Sequence, residues 1–342
     1  MRALVVGAGA VGQYLAARLR TGDHDVVLLG RAATTATLQK AGVTLRADGR
    51  TQAVAVSGTS DLADPILRDP FELVIPAVKS YATLGAIDSI KALPACSEAS
   101  LLVVQNGLGN EELCASAFGA DRVVAAALTT AVDRFGESGV IASAKGGLTI
   151  APVGQLAHNW LIAAFETTGM KVAAAADWRA LKWSKLCINL MANAVCAILD
   201  WTPEQVYGNR GSFGIERRCL LEAIAAMEAL NLSPVGLIDF PVPLLIGAVR
   251  ALPSAVLRPV LAGRVVGGRG GKLPSLLMDL RAHRSQLEVE ALNGAVAQRA
   301  SAAGVAAPAN AAVTRILRSI AANEIDWDLY RGKPEALAAA IS

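Results

Sequence analysis

The sequence predicts an α/β chain in two parts, an N-terminal doubly wound parallel sheet and a C-terminal all-α half. Three observations carry this. Short apolar runs alternate with helical stretches over the first half, a glycine-rich turn joins the first run to its helix, and the periodicity becomes helical near residue 176. At 342 residues with 53% hydrophobic side chains, the chain can fill two cores, and we place them at residues 1–176 and 177–342.

Taken in order, Arg2 to Gly7 (RALVVG) is an apolar run of strand length, and Gln13 to Leu19 follows with the spacing of a helix packing one face. Further runs stand at Asp25 to Gly30, Glu72 to Val78, Leu101 to Gln105 and Val123 to Leu128. Strands that are apolar at every position are buried on both faces, as in a parallel sheet covered by helices. After Lys171 to Asp177 most of the chain reads helical, with no Gly/Ser linker.

Composition excludes several classes. The formal charge is +3, and the 32 basic residues are scattered rather than gathered into a stripe, so nucleic acid is not an expected partner. Five cysteines, Cys96, Cys114, Cys187, Cys196 and Cys219, form no Cys-x-x-Cys pair and no metal-ligand spacing, so a reducing, cytoplasmic setting and no metal are expected. Arg2 ahead of an apolar stretch imitates a secretory leader, but Gly7, Gly9 and Gly12 interrupt it. Asp239 and the prolines 234, 241 and 243 likewise break the run Leu232 to Val249, so no membrane span is expected.

The turn Gly7-Ala8-Gly9-Ala10-Val11-Gly12 is a dinucleotide fingerprint. Gly7 permits the tight turn, Gly9 lets a pyrophosphate approach the backbone, Gly12 lets helix and strand pack closely, and the helix N-terminus supplies amide donors. This makes the N-terminal domain Rossmann-type. Where an NAD site would place an acidic residue after the second strand, the chain has Gly30-Arg31, and a guanidinium pairs with a 2'-phosphate, so NADP(H) is the expected cofactor. Lys79 and Asn106 follow predicted strands at the same sheet edge. Taken singly, the first reads as a surface lysine and the second as a turn former.

In the C-terminal half Lys185, Asn189 and Asn193 recur every fourth residue and predict one polar stripe on an otherwise apolar helix. A lysine there is costly to bury unless it meets an acid or an anionic substrate. Further on, PSLLMDL places Ser275, and LEVEALNG places Glu288 and Glu290, which point in different directions on a helix, so one of them is expected in solvent.

Together GAGAVG, Arg31, VKSY, QNGLG, WSKLCINLMAN, PSLLMDL and LEVEALNG, in this order, resemble the ketopantoate reductase (2-dehydropantoate 2-reductase) family over nearly the whole chain. The resemblance implies reduction of a small 2-oxo acid in pantothenate and coenzyme A biosynthesis. It implies Lys185 as general acid, with Glu288 beside it contacting substrate. It further implies Asn106 near nicotinamide and substrate, Asn189 and Asn193 on substrate hydroxyl or carbonyl groups, Ser275 on the carboxylate, and Lys79 near the cofactor ribose. A lysine ammonium ordinarily titrates near about 10.4, so it stays protonated at neutral pH and can stabilise a developing alkoxide.

Two departures from shorter members bear on substrate. Residues 237–272 resemble an insertion ahead of Ser275, its glycine-rich end GGRGGK read as a mobile loop, and Asp279 to Glu288 is one residue longer, so a bulge or shift is expected there. Alternatives are therefore a paralogous reductase of another 2-oxo acid, or a non-catalytic NADP-binding sensor. The Ala- and Leu-rich helices near the C-terminus suit a homodimer and ordinary core packing equally.

Overall fold

The structure is a computed structural model that describes residues 1–136, 138–155, 158–269 and 273–341, with the side chains of 266–269 also left out. In chain order the first elements are β1 (Arg2–Val6), α1 (Ala10–Thr21), β2 (Asp25–Leu29), α2 (Ala32–Ala41), β3 (Val43–Ala47), β4 (Arg50–Val54) and β5 (Ser57–Thr59). Next come β6 (Leu73–Pro76), α3 (Thr83–Lys91), β7 (Ser100–Val103), α4 (Asn110–Phe118) and β8 (Val123–Leu128). Then follow β9 (Val132–Phe135), β10 (Gly139–Ala142), β11 (Leu148–Pro152), α5 (Asn159–Glu166), β12 (Val172–Ala174) and α6 (Trp178–Leu190). The rest is helical: α7 (Ala194–Leu199), α8 (Pro203–Gly208), α9 (Arg210–Ala229), α10 (Val242–Ala251), α11 (Ser254–Arg269), α12 (Ser275–Arg281), α13 (Asn293–Ala302), α14 (Pro308–Ala321) and α15 (Pro334–Ile341).

Contacts divide the chain into two units. One holds Met1–Gln105, Gly109–Lys182 and Leu237–Phe240; the other holds Asn106–Leu108, Trp183–Gly236 and Pro241–Ser342. The boundary read from the sequence, at 176, lies just ahead of α6, whereas the contacts divide within that helix.

In the first unit the main sheet has the order β12-β11-β8-β7-β6-β1-β2-β5. Alternate strand residues face opposite sides. Ala3, Val5, Val26 and Leu28 join one core with Tyr14, Leu15 and Leu19 of α1, while Leu4, Val6, Val27 and Leu29 join another with Ile87 and Ile90 of α3 and Cys114 of α4. The predicted strands are all present.

Two features depart from a purely parallel sheet. β8 and β11 pair antiparallel, because the β9–β10 hairpin lies between them where a parallel neighbour would need a helical crossover. A second sheet of order β4-β3-β10-β9 was not expected and covers the α1 side. Its β3–β4 hairpin turns on Asp48-Gly49, both at positive φ, a tight two-residue turn that favours Asp-Gly.

The second unit packs around α9, started by the Asn209 side chain, which accepts from the Ser212 amide. Most of the expected insertion is helical, in α10 and α11. Arg217 on α9 donates to the carbonyls of Val249 and Leu252, and Arg258 on α11 donates to the Tyr207 and Gly208 carbonyls, so both helices are tied to α8 and α9. Gly267 to Arg269, read as loop, close the last turn of α11; Gly270 to Lys272 lie outside the described residues. Leu237–Phe240 groups with the first unit, where Asp239 accepts from the Gly146 amide and pairs with Lys171 at 3.0 Å.

All five cysteines are free and buried. Burial pushes the thiol of Cys96 up to about 11 and those of Cys114 and Cys187 up to about 12. Thiolate is the reactive form. The folded protein is therefore expected to resist Ellman's reagent at pH 8, with five thiols reacting only on denaturation. Rapid labelling of the native chain would contradict the burial.

Candidate active site

At the carboxyl edge of the main sheet, strand order reverses between β1 and β6, the place where such sheets bind ligands. The turn after β1 is fixed on both sides, with the Gly7 amide donating to the Leu29 carbonyl at 2.8 Å and the Ala77 amide to the Val6 carbonyl at 2.7 Å. Gly7 has φ +118, and a Cβ there would stand 2.8 Å from the Ala77 backbone. At Gly12 a Cβ would stand 1.9 Å from the Gly7 carbonyl oxygen. Gly9 is different: it is exposed, and a Cβ there would meet nothing within 4 Å. Two glycines are thus demanded by the protein's own packing, and the middle one opens onto space at the N-terminus of α1. That arrangement could hold a dinucleotide pyrophosphate over the turn Gly7, Ala8, Gly9, Ala10, Val11 and Gly12.

Arg31 is exposed and precedes the first turn of α2, which holds no acidic residue. Lys79 is half-buried and precedes a short 3₁₀ turn, Ser80–Ala82, after β6. Behind these loops lies a polar network the sequence reading did not find. Gln105, two residues past β7, donates from Nε2 to the Val78 carbonyl at 3.1 Å and to Thr83 Oγ1 at 2.7 Å. Thr83 Oγ1 in turn lies 2.8 Å from both Asn110 Oδ1 and the Ser80 carbonyl. Lys182, 2% exposed, makes a 2.7 Å ion pair with Glu111, 0% exposed, and donates to the Gln105 carbonyl at 2.6 Å and the Ala126 carbonyl at 3.3 Å. Burial holds the Glu111 carboxyl above its ordinary range although the ammonium pulls it back.

The second unit gathers the predicted substrate residues. Asn106 leaves β7 and is exposed, and its Oδ1 accepts from Asn189 Nδ2 at 3.1 Å. The next residues close on the segment behind Glu288: Leu108 donates to the Ala291 carbonyl at 2.9 Å, and a Cβ on Gly107 (φ +84) would stand 2.4 Å from that oxygen. Lys185 and Asn189 are half-buried on α6, one turn apart.

The expected unbroken stripe stops there. α6 ends at Leu190, and Ala192 takes φ +49 while its amide donates to the buried Glu216 carboxylate at 3.0 Å. Asn193 therefore starts α7 instead of extending α6, and its side chain bridges outward. Nδ2 donates to the Asn189 carbonyl at 3.2 Å, and Oδ1 accepts from the Leu276 amide at 3.3 Å, next to Ser275 on the first turn of α12. One hydrogen-bonded line thus joins Asn106, Asn189 and Asn193 to the backbone beside Ser275. Glu288 is buried and Glu290 exposed, as the geometry of the pair required, and they form a 3₁₀ turn rather than part of a longer helix. Among the described residues no cluster of three or more His, Cys, Asp or Glu side chains gathers, and no helix is long and apolar enough to cross a membrane.

A Rossmann-type sheet with an open phosphate turn, followed by a helical half holding a lysine and amides, defines a nicotinamide-dependent oxidoreductase of two-part architecture. Comparison gives the family. "Ketopantoate reductase PanE/ApbA" matches residues 3–155, and "Ketopantoate reductase PanE/ApbA C terminal" matches residues 177–321. The chain belongs to the ketopantoate reductase family. It is 29% identical over 314 residues to the 2-dehydropantoate 2-reductase of Halobacterium salinarum, covering 90% of this chain and 95% of that protein. Among solved structures, the PanE/ApbA family ketopantoate reductase of Ralstonia eutropha aligns with a TM-score of 0.79 at 25% identity, covering 95% of this chain and 99% of that one. D-mandelate dehydrogenase, solved with NADH and anilino(oxo)acetate, shares the fold at a TM-score of 0.79 and 17% identity, covering 94% of this chain and 99% of that one.

Proposed function

We propose that the chain reduces 2-dehydropantoate (ketopantoate) to pantoate with NADPH, using Lys185 as general acid. The observation that carries this reading is the hydrogen-bonded line from Asn106 through Asn189 and Asn193 to the backbone beside Ser275, next to the helical turn that carries Lys185. A small acid with a keto group and a hydroxyl needs such donors at fixed spacing.

A reduced nicotinamide, when bound, supplies the hydride. Lys185 then holds the proton: its ammonium donates to the carbonyl oxygen and stabilises the negative charge that grows there. Asn106 and Asn189 orient the reacting group, Asn193 holds Asn189 and the start of α12 in register, and Ser275 takes the carboxylate. Glu288, buried on its 3₁₀ turn, accepts a substrate hydroxyl. Lys79 would hold the cofactor ribose, and Arg31 would pair with its 2'-phosphate. The buried thiols, with no disulfide among them, support a cytoplasmic setting.

A second reading, another 2-oxo acid, is favoured by α10 and α11, which precede Ser275 and make up most of the departure noted in the sequence. Initial rates with ketopantoate, pyruvate and phenylglyoxylate, each with NADPH and NADH, separate the readings. The highest kcat/KM is expected for ketopantoate with NADPH. Preference for phenylglyoxylate moves the assignment to the second reading, and no turnover on any acid removes both. In the same assay Arg31→Asp is expected to lower the NADPH-over-NADH preference by about tenfold, since an exposed charged contact is worth on the order of 1 kcal/mol. An unchanged preference would locate 2'-phosphate recognition elsewhere.

A further inference from the structure

The buried pair Lys182–Glu111 is expensive for the fold. Each ion removed from water costs several kcal/mol, and apolar side chains of similar volume often hold a core as well or better. Neither residue belongs to the substrate or cofactor groups assigned above. What the pair grips is specific: the Lys182 ammonium uses its three donor directions on the Glu111 carboxylate and the carbonyls of Gln105 and Ala126.

Gln105 is the residue before Asn106. Its carbonyl, the start of the peptide unit entering Asn106, is held by Lys182, and its side chain is tied to Val78 and Thr83 on either side of the turn that carries Lys79. Glu111 sits in the first turn of α4, directly after Asn110, which also joins Thr83. Lys182 lies three residues before Lys185 on α6, nearly one turn away.

We propose that Lys182 and Glu111 are positioning residues for the reduction, fixing where the chain presents Asn106 and where α6 presents Lys185. This rests on the reading of those two residues given above. Misplacing a reacting group by about 1 Å can cost on the order of 10²-fold in rate.

The test compares the full-length wild type, Glu111→Gln and the double variant Lys182→Met/Glu111→Leu. For each, the cofactor-free Tm, the NADPH Kd, the ketopantoate KM and kcat, and the fluorescence lifetime of bound NADPH are measured. The double variant is expected to keep its Tm, or gain. Its KM and Kd should stay within about threefold while kcat falls by on the order of 10²-fold. Glu111→Gln, which leaves the ammonium on the Gln105 carbonyl, is expected to keep kcat within about tenfold.

A folded double variant with wild-type kcat overturns the proposal. So does collapse of its Tm, because the pair then serves the fold. If the wild type reduces no oxo acid, the functional reading has failed and the lifetime decides instead. A lifetime changed in the double variant and unchanged in Glu111→Gln supports positioning at the nicotinamide, and identical lifetimes in all three overturn it.

Discussion

Lys185→Ala is expected to lower kcat with ketopantoate by about 10²- to 10⁴-fold, the usual contribution of a positioned general acid. The Kd for NADPH should hardly move, because the phosphate turn at Gly7 to Gly12 lies in the other unit. The Tm should also stay within a few degrees, because Lys185 is half-buried rather than part of the core. Loss of rate with retained cofactor binding separates an acid from a residue that shapes the fold. Wild-type kcat in the variant would remove the proposed acid, and would favour a chain that binds NADP without using this lysine.

The second large effect is a contrast between two glycines of one motif. Gly12→Ala puts a methyl 1.9 Å from the Gly7 carbonyl oxygen. That backbone cannot yield freely, since the Gly7 amide is bonded to Leu29 and the turn abuts Ala77. Overpacking of this kind costs about 1–3 kcal/mol, so the cofactor-free Tm should fall by several degrees. Gly9→Ala places its methyl where the protein has no atom within 4 Å, at an ordinary φ of −77. Its Tm should hold, while NADPH binding weakens by on the order of tenfold or more as the methyl enters the phosphate space. Calorimetry and cofactor titration on both variants check the contrast. Equal loss of Tm in both would mean that the space beside Gly9 is not a ligand's.

Much of this site could be read in the sequence because its signals are local. A strand, a glycine turn and a helix in succession mark the candidate phosphate turn, and Gly12 answers a constraint within it, the Gly7 carbonyl five residues back, although Gly7 also abuts Ala77 on the neighbouring strand's loop. The apolar runs gave the five central strands for the same reason. Where the reading failed, the cause was tertiary. Lys185, Asn189 and Asn193 share a helical period, but Glu216, distant in sequence, takes the Ala192 amide and breaks α6 between them. Only the glycine-rich end from Gly267 reads as a loop in the sequence, yet Gly267 to Arg269 continue a helix whose buried face is lined by Leu257, Leu261 and Val265, with Pro259 exposed. Lys182 carries no local signal in the sequence, because its partner Glu111 lies 71 positions earlier in the chain. The Asp48-Gly49 hairpin did carry a local signal, an Asp-Gly turn between alternating strands, which the apolar-run search passed over.

The central claim is that hydride passes to C2 of a 2-oxo acid from a nicotinamide dinucleotide whose pyrophosphate lies on the Gly7 to Gly12 turn. The most direct measurement is incubation with ketopantoate and NADPH deuterated at both C4 positions, followed by mass spectrometry of the product. The account predicts pantoate carrying a single deuterium at C2, absent when Lys185→Ala replaces the wild type over the same time. Recovery of unreduced ketopantoate, with NADPH intact in the presence of folded protein, would contradict it.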